Sequence, residues 1–171
     1  MSKARWMRPL TGCVVSVSLW IAPAALRAKE APQLLPIEAE WCLPGGACIQ
    51  LEVADEQAEK AIGLQLRGPL PPLRGMWFPF EDALLRFWMH RTPEPLDMVF
   101  INDNRVIAIE ANTTPCPRLP CRSYGPNAPG DGVVELAAGE AQRLGIEVGS
   151  PAVIRPLKPQ QGAHRATPAR D

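Results

Sequence analysis

Short apolar runs separated by turn residues form the main pattern of hydrophobic and polar positions along this chain. Such runs, rich in β-branched and aromatic side chains and bounded by glycine, proline or asparagine, are typical of β-strands. The candidate strands cover residues 37–42, 48–53, 76–80, 84–89, 98–102, 106–111, 133–136 and 151–157. Apolar positions have helical spacing over residues 56–66, with Asp55 as the predicted N-cap, and a second short helix is predicted over 139–144.

Turn residues and prolines decide the predicted fold class. Pro44-Gly45-Gly46 predicts a tight turn between the first two strands, and Asp103-Asn104 predicts a second hairpin turn. The 20 prolines disfavour a helical bundle, and residues 112–132 are predicted to form a long loop. The pattern therefore predicts one mainly-β domain over residues 37–156, a single compact sandwich or partly open barrel of about seven short strands with one or two short helices.

The two ends of the chain differ from this domain. Basic residues and no acid precede an apolar run over residues 10–26, and small residues follow it. This order predicts a secretory signal peptide over residues 1–28, and therefore an exported protein that is periplasmic or extracellular. An uncleaved anchor is the alternative, although Pro23 interrupts the run and the run is short for a bilayer span. Residues 158–171 have no apolar pattern and are predicted to be disordered.

Loss of the signal peptide would make the product acidic. It removes four basic residues and no acid from a chain that has 18 of each, which leaves a net charge of −4. A protein of this charge lacks the basic surface that phosphate backbones require, so no nucleic-acid partner is expected. The expected partners are an unknown small ligand or an envelope protein, with membrane contact only through an uncleaved signal if at all.

Four cysteines remain when the one in the predicted signal peptide is set aside. An even number in an exported chain indicates two disulfides, and the most economical of the three pairings is Cys42–Cys48 with Cys116–Cys121. Spacings of five and four intervening residues lie at or beyond the upper end of the usual zinc spacing. A nucleophilic cysteine would have only His90 as an internal base. Structural disulfides are therefore predicted, with no metal and no cofactor.

Several segments carry a resemblance to one family. They are Gly-Leu-Gln-Leu-Arg at 63–67 followed by Leu70, Gly-Met-Trp-Phe at 75–78, Phe-Trp-Met at 87–89, Pro-Leu-Asp at 95–97, and Val-Glu-Leu at 134–136 with Gly139. Over about residues 38–155 the chain resembles the family called domain of unknown function 192. Gln65, His90-Arg91 and Ser150 depart from that family's usual Met, Lys-Asn and Asp. The resemblance implies a compact mainly-β domain, commonly exported or membrane-tethered, with no established role and no catalytic residues to assign.

Asp97 is the most unusual candidate site residue because it stands among apolar residues in a predicted strand. A buried carboxyl group without a partner would cost several kcal/mol, so a partner is expected. Arg67, Arg86 and Arg91 are the nearest basic candidates in sequence, and backbone groups are the alternative. One interpretation is a structural network that holds residues 91–96. The other is a carboxylate that orients a ligand or acts as an acid or base.

Trp88 and His90 provide a candidate ligand wall. Alternation along this strand places them on one face and Phe87 and Met89 on the other. A tryptophan beside a histidine suits a sugar or another flat ligand if that face is open, whereas packing under the long loop is the alternative. Three methionines with His90 are also compatible with a Cu(I) site, but methionine is an ordinary core residue. The candidate ligand-binding residues are Asp97, Trp88, His90, Arg67, Met89 and Tyr124.

Three functions are consistent with these features. The leading one is ligand or partner binding without catalysis, since the chain has no phosphate loop, nucleophile elbow or metalloprotease motif. The second is an enzyme acting on cell-envelope carbohydrate, with Asp97 as acid or base and Arg67 or His90 as its electrostatic partner. A carboxylate pair of Asp97 with Glu135 would suit glycoside hydrolysis. The third is a structural or accessory envelope protein, which an exposed unpaired strand edge would support.

Overall fold

The computed structural model describes residues 30–158. The chain divides into two units, Met1–Glu30 and Ala31–Asp171, and the fold described here belongs to the second. The predicted signal peptide and nearly all of the predicted disordered tail lie outside the described residues, so both stay predictions. Within the described range, no helix has the length and apolar character needed to cross a membrane.

Nine strands and two short helices make up the described domain, which confirms the mainly-β prediction. The strands are β1 (Ile37–Cys42), β2 (Cys48–Val53), β3 (Arg74–Ala83), β4 (Phe87–Trp88), β5 (Leu96–Asn102), β6 (Arg105–Thr113), β7 (Ser123–Tyr124), β8 (Gly130–Ala137) and β9 (Ile154–Pro156). The helices are α1 (Gln57–Ile62) and α2 (Glu140–Arg143). The first two strands have the bounds that the sequence predicts. Asp103 and Asn104, with φ values of 48° and 57°, form the predicted turn between β5 and β6.

Seven of the strands form one mixed sheet in the order β6-β5-β8-β3-β2-β1-β9. Only the β2–β3 pair is parallel among the strands described, and α1 lies in the crossover connection that a parallel pair requires. β4 and β7 form a separate two-stranded antiparallel ribbon. The ribbon lies outside the main sheet order, although its strands carry part of the apolar core.

Residues 149–152 connect the two edges of the main sheet at one end. The Val106 amide donates to the Ser150 carbonyl at 3.0 Å, and the Ala152 amide donates to the Asn104 carbonyl at 2.7 Å. The chain then continues as β9, which pairs with β1 at the opposite edge. The sheet is therefore curled without forming a closed barrel, in agreement with the predicted sandwich or partly open barrel.

Side-chain alternation divides the core into two clusters, one on each face of the central strands. In β5, Val99 and Ile101 belong to one cluster, and Met98 and Phe100 belong to the other. The Trp41 cluster consists of Ala39, Trp41, Ile49, Leu51, Val99, Ile101, Val106, Val134, Leu136, Ala141, Ile146 and Ala152. The Phe100 cluster consists of Ala54, Leu64, Leu70, Met76, Phe78, Leu85, Met89, Leu96, Met98, Phe100, Tyr124 and Val133. The central strands are therefore covered on both faces.

Helix α1 is shorter than the predicted helix over 56–66. It begins at Gln57, so Glu56 instead of Asp55 occupies the N-cap, where the Glu56 amide donates to the Glu59 carboxyl at 3.2 Å. It ends because Gly63 has a φ of 49°. A Cβ at Gly63 would also lie 3.2 Å from the ring of Phe78. Close packing of this turn against the sheet therefore replaces the last predicted turn of helix.

The structure differs from the prediction in two regions that pair with each other. One is the predicted strand over residues 84–89, and the other is the predicted loop over residues 112–132. The strand is reduced to the two residues of β4, and β7 occurs in the region predicted as a loop. The two pair with each other, with Phe87 opposite Tyr124 and Trp88 opposite Ser123. β4 is short because it can extend only as far as this loop supplies antiparallel backbone groups.

The two predicted disulfides are confirmed with the local pairing. Cys42 and Cys48 are directly opposite each other where the β1–β2 hairpin turns, and Cys116 and Cys121 close a short segment before β7. Glu40 lies near the first bridge, so three ligating atoms come within 4.8 Å of one another. The two sulfurs are joined to each other and offer no thiolate, which argues against a cysteine metal site.

Reduction of both bridges is expected to lower the free energy of unfolding by about 2 to 4 kcal/mol in total. The sequence separations are only 6 and 5, and loop entropy assigns each such short loop about 2 kcal/mol. Urea denaturation with and without reductant measures the loss, and replacement of each cysteine pair by serine separates the two contributions. Four free thiols in protein purified from an exporting host would contradict the expectation.

Candidate functional site

A pocket of about 210 Å³ opens on the Phe100 side of the sheet, between the α1 segment and the chain around β4. Its wall includes the aromatic side chains of Phe78, Phe80, Phe87, Trp88 and His90. We call it the aromatic pocket. It brings together residues from α1, β3, β4 and β8, so it depends on the complete fold.

The aromatic wall combines a packed part and an open part. Phe87 makes edge-to-face contacts with Phe78, Phe80 and Phe100, with ring centroids 5.2, 6.1 and 6.2 Å apart. These contacts stabilise its orientation. Trp88 is 54% exposed, and its ring lies 5.7 Å from that of His90 at an angle of 54°. The pocket therefore has a rigid apolar interior and an accessible indole at its rim.

Glu135 is the one acidic residue among the described residues that line this pocket. It is only 5% exposed, and Met76 and Met98 are its neighbours on the adjacent strands. Burial raises the pKa of the Glu135 carboxyl to about 8, because the charged form loses its hydration. The group is therefore mostly neutral at pH 7 and presents an O–H donor.

The carboxyl group of Glu135 forms no side-chain hydrogen bond or ion pair with the described residues. No completely enclosed side-chain oxygen or nitrogen in the described part of the chain lacks a partner. The Glu135 oxygens therefore reach the pocket space. A buried polar group is usually hydrogen-bonded, so this one is available for a bound molecule.

Two cationic side chains line the same pocket. The Lys60 ammonium lies 4.7 Å from the centroid of the Phe80 ring. Arg86 donates to the carbonyls of Leu85 and Pro126 and to the side chain of Asn127. Neither cation forms an ion pair within residues 30–158. The charge around the pocket is therefore positive while Glu135 is neutral.

The loop closed by the second disulfide supports the pocket wall. The Arg91 amide donates to the Cys116 carbonyl at 2.9 Å, and the Cys116 amide donates to the Met89 carbonyl at 3.1 Å. These bonds flank His90, which forms an isolated bridge with Cys116. The position of Trp88 and His90 is thus determined jointly by β4, β7 and the disulfide-closed segment.

The structure brings together two of the six predicted ligand-binding residues. Trp88 and His90 line the aromatic pocket, with the alternation that the sequence predicts. Arg67 is instead paired with Glu52 through two bonds of 2.9 Å each. Met89 and Tyr124 are buried in the Phe100 cluster, and the Tyr124 hydroxyl accepts a bond from the backbone at Thr114. Met89 and Tyr124 thus belong to the core beneath the pocket wall and do not line the pocket.

Asp97 lies on the opposite side of the sheet from Glu135. It is directly opposite Leu136 in the neighbouring strand, so its side chain projects toward the Trp41 cluster. It is 1% exposed, and its two oxygens accept bonds from the amides of Asn112 at 2.9 Å and Ala141 at 3.0 Å. Backbone groups therefore supply its partners, and the arrangement favours a structural role.

This geometry excludes the carboxylate pair of Asp97 with Glu135 that glycoside hydrolysis would use, because a sheet lies between the two groups. The sequence analysis considered Glu135 as that partner and as part of a family motif, and Arg86 as a partner of Asp97; it did not single out Lys60. An acidic residue within the apolar run 133–136 was the available signal. Asp97, in the neighbouring strand β5, was identified by the same feature, an acidic residue within an apolar run.

Replacement of Asp97 by alanine is expected to lower the free energy of unfolding by about 2 to 4 kcal/mol, because a buried and a partly buried amide lose their acceptor. Asp97→Asn, which keeps one acceptor oxygen, should cost less. Urea denaturation measures both, with the exposed Asp55→Ala as control, for which a change below about 0.5 kcal/mol is expected. Equal stability of Asp97→Ala and the parent chain would contradict a structural role for Asp97.

The raised pKa of Glu135 predicts that stability falls as pH rises. The folded chain holds the Glu135 proton more tightly than the unfolded chain, whose carboxyl has the ordinary value of 4.5. The resulting stabilisation is fully present below pH 4.5 and is lost as pH rises through about 8. Unfolding midpoints measured from pH 5 to 9 should show this fall in the parent chain and in the exposed control Glu81→Gln, but not in Glu135→Gln. The same pH slope in Glu135→Gln would contradict the assignment.

Comparison with known proteins places the chain in a family. A Novosphingobium aromaticivorans protein of unknown function is 30% identical, with 74% of this chain and 93% of that chain aligned and a TM-score of 0.61. A Sinorhizobium meliloti protein described as a candidate transcription regulator is 28% identical, with 70% and 92% aligned and a TM-score of 0.59. No curated protein matches the chain. The model of the family DUF192, described as uncharacterized ACR, matches residues 42–154, and because this match covers more than half of the chain, the chain belongs to the DUF192 family.

Proposed function

We propose that this chain is an exported binding domain that takes a small ring-shaped ligand in the aromatic pocket and catalyses no reaction on it. The unpaired carboxyl group of Glu135 carries the proposal. Burial of a polar group without a hydrogen bond costs about 1 to 3 kcal/mol. A ligand that pairs with this group supplies the hydrogen bond that the described residues do not.

The size and walls of the pocket indicate the shape of the ligand. An apolar cavity of roughly 150 Å³ is large enough for one benzene molecule, so about 210 Å³ admits a single six-membered ring. Trp88 and His90 offer flat faces against which a ring can stack. A monosaccharide unit of the cell envelope has a suitable ring and polar groups within reach of Glu135.

Export is supported by two separate features. The residues before the domain have the order of a secretory signal peptide. The domain itself contains two disulfides, which persist in oxidising compartments and are rare in the cytosol. Both features agree with a domain that works in the periplasm or outside the cell.

Hydrolysis of envelope carbohydrate is the second candidate, and Glu135 is the observation that favours it. A carboxyl group that is neutral at pH 7 can act as a general acid. Most glycosidases, however, require a second carboxyl group on the other side of the scissile bond. The described lining residues supply only Glu135. Binding therefore accounts for more of the geometry, and release of free sugar from a glycoside ligand would favour the enzyme.

An accessory role by strand addition is the third candidate. β6 is the last strand of the main sheet, and residues 107–111 of its outer edge have no partner strand in the described part of the chain. Such an edge can pair with an extended segment of another protein. A role by strand addition does not explain the unpaired carboxyl group of Glu135 or the open aromatic wall.

Trp88→Ala is expected to weaken binding of ring ligands in the aromatic pocket at least about fivefold with little change in unfolding midpoint, because Trp88 is 54% exposed. Loss of a ring-stacking contact of about 1 to 3 kcal/mol gives an effect of this size. Ligand-observed NMR with a panel of monosaccharides and simple aromatic rings measures it. Leu84→Ala, which truncates an equally exposed apolar side chain, is the matched control. If no ring ligand binds, or if both variants bind as the parent does, the proposed site is wrong.

A further inference from the structure

The charges around the aromatic pocket limit the chemistry of its ligand. Lys60 and Arg86 line the pocket as cations, and Glu135 is its one acidic residue among those described. His90 is the remaining titratable group on the wall. The strands beside Glu135 present Met76 and Met98, which carry no charge. A ligand in this pocket therefore meets one neutral acid and two cations on the wall.

The hydrogen-bonding capacity of Glu135 also favours an anionic ligand. A neutral carboxyl group donates one strong O–H bond, and the Glu135 oxygens, which reach the pocket, accept no bond from residues 30–158. A bond from a neutral acid to an ionised carboxylate is shorter and stronger than a bond to a neutral acceptor. Burial enhances the difference, because electrostatic interactions are stronger where water is excluded.

A cationic ligand fits the pocket less well. It would have to draw the proton from Glu135 to gain an ion pair in the interior. It would also lie in a pocket lined by Lys60 and Arg86, which have no acidic partner to neutralise them within the described residues. The two cations repel a cationic ligand in the pocket and attract an anionic one.

We propose that the aromatic pocket binds a six-membered ring bearing a carboxylate, with the ring against Trp88 and the carboxylate hydrogen-bonded to the carboxyl group of Glu135. The inference rests on the proposed function and specifies its ligand class. A uronic acid and an aromatic acid share this chemistry, and separate ligands distinguish them. Lys60 and Arg86 contribute favourable charge on the pocket wall, and no covalent step is involved.

Two matched pairs of ligands test the carboxylate directly. Glucuronate and glucuronamide differ only in the acid group, as do benzoate and benzamide. The full chain, purified from an exporting host without reductant, should bind at least one of the two carboxylates at pH 7 about tenfold or more tighter than its amide. Isothermal titration calorimetry and ligand-observed NMR provide the affinities. Preference for glucuronate identifies a sugar site, and preference for benzoate identifies an aromatic-acid site.

The pH dependence tests the role of Glu135. Affinity for the carboxylate ligand should fall above pH 8 by up to about tenfold per pH unit, because the ionised Glu135 neither donates nor tolerates a second carboxylate. Glu135→Gln keeps an N–H donor, so it should retain binding and lose this component of the pH dependence. The same slope in Glu135→Gln as in the parent chain would contradict the role of Glu135. Glu135→Ala should lose binding at all pH values.

A charge control completes the design. Lys60→Gln should weaken binding of the carboxylate several-fold and leave the amide unchanged, and the exposed, distant Lys158→Gln should affect neither. Amides that bind as tightly as the carboxylates, or glucosamine that binds more tightly than glucuronate, would overturn this inference while the ring-binding function stands. Failure of every ring ligand, neutral, acidic or basic, would overturn the proposed function as well.

Discussion

Burial of both faces of the central strands is the constraint on which the rest of this structure depends. All six residues of β5 from Leu96 to Ile101 are buried, as are residues 132–136 of β8. A polar side chain in such a strand is covered on either face. It must therefore be hydrogen-bonded by other protein groups or lie beside a cavity. Asp97 and Glu135 are the two carboxyl groups in these stretches. Asp97 is hydrogen-bonded by the backbone, and Glu135 lies beside a cavity.

Asp97 is satisfied by the fold itself. The pairing of β5 with β6 is irregular between Leu96 and Met98, and there the Asn112 amide meets one carboxyl oxygen. The other oxygen accepts from Ala141 in the first turn of α2. One side chain thus connects a central strand, an edge strand and a helix on the Trp41 side. Each of its oxygens accepts a backbone amide, and Asp97 also lines a separate pocket on this side with Asn112 and Gly139.

Glu135 faces the Phe100 side, where the covering layer is assembled from short and irregular pieces. α1 has six residues, and β4 and β7 have two each. This layer covers the sheet incompletely and leaves the aromatic pocket over Glu135. The disulfide between Cys116 and Cys121 closes the segment that hydrogen-bonds on both sides of His90. The long loop therefore contributes to the site by holding its wall, although its own residues contribute little to the lining.

The sequence by itself determined the features that depend on neighbouring residues. These include the bounds of β1 and β2, the Asp103-Asn104 turn, the local disulfide pairing, the alternation of Trp88 and His90, and the family. Turn chemistry and the two-residue period of a strand act over a few positions, so they can be recognised without a fold.

Only the tertiary structure decided which distant groups meet. It gave Asp97 two backbone amides instead of an arginine and paired Arg67 with Glu52. It also ended α1 at Gly63 against the ring of Phe78 and left Glu135 without a partner. These outcomes depend on strand order and on the curl of the sheet, which bring together residues far apart in the chain. The pattern along a single strand contains no information about that order.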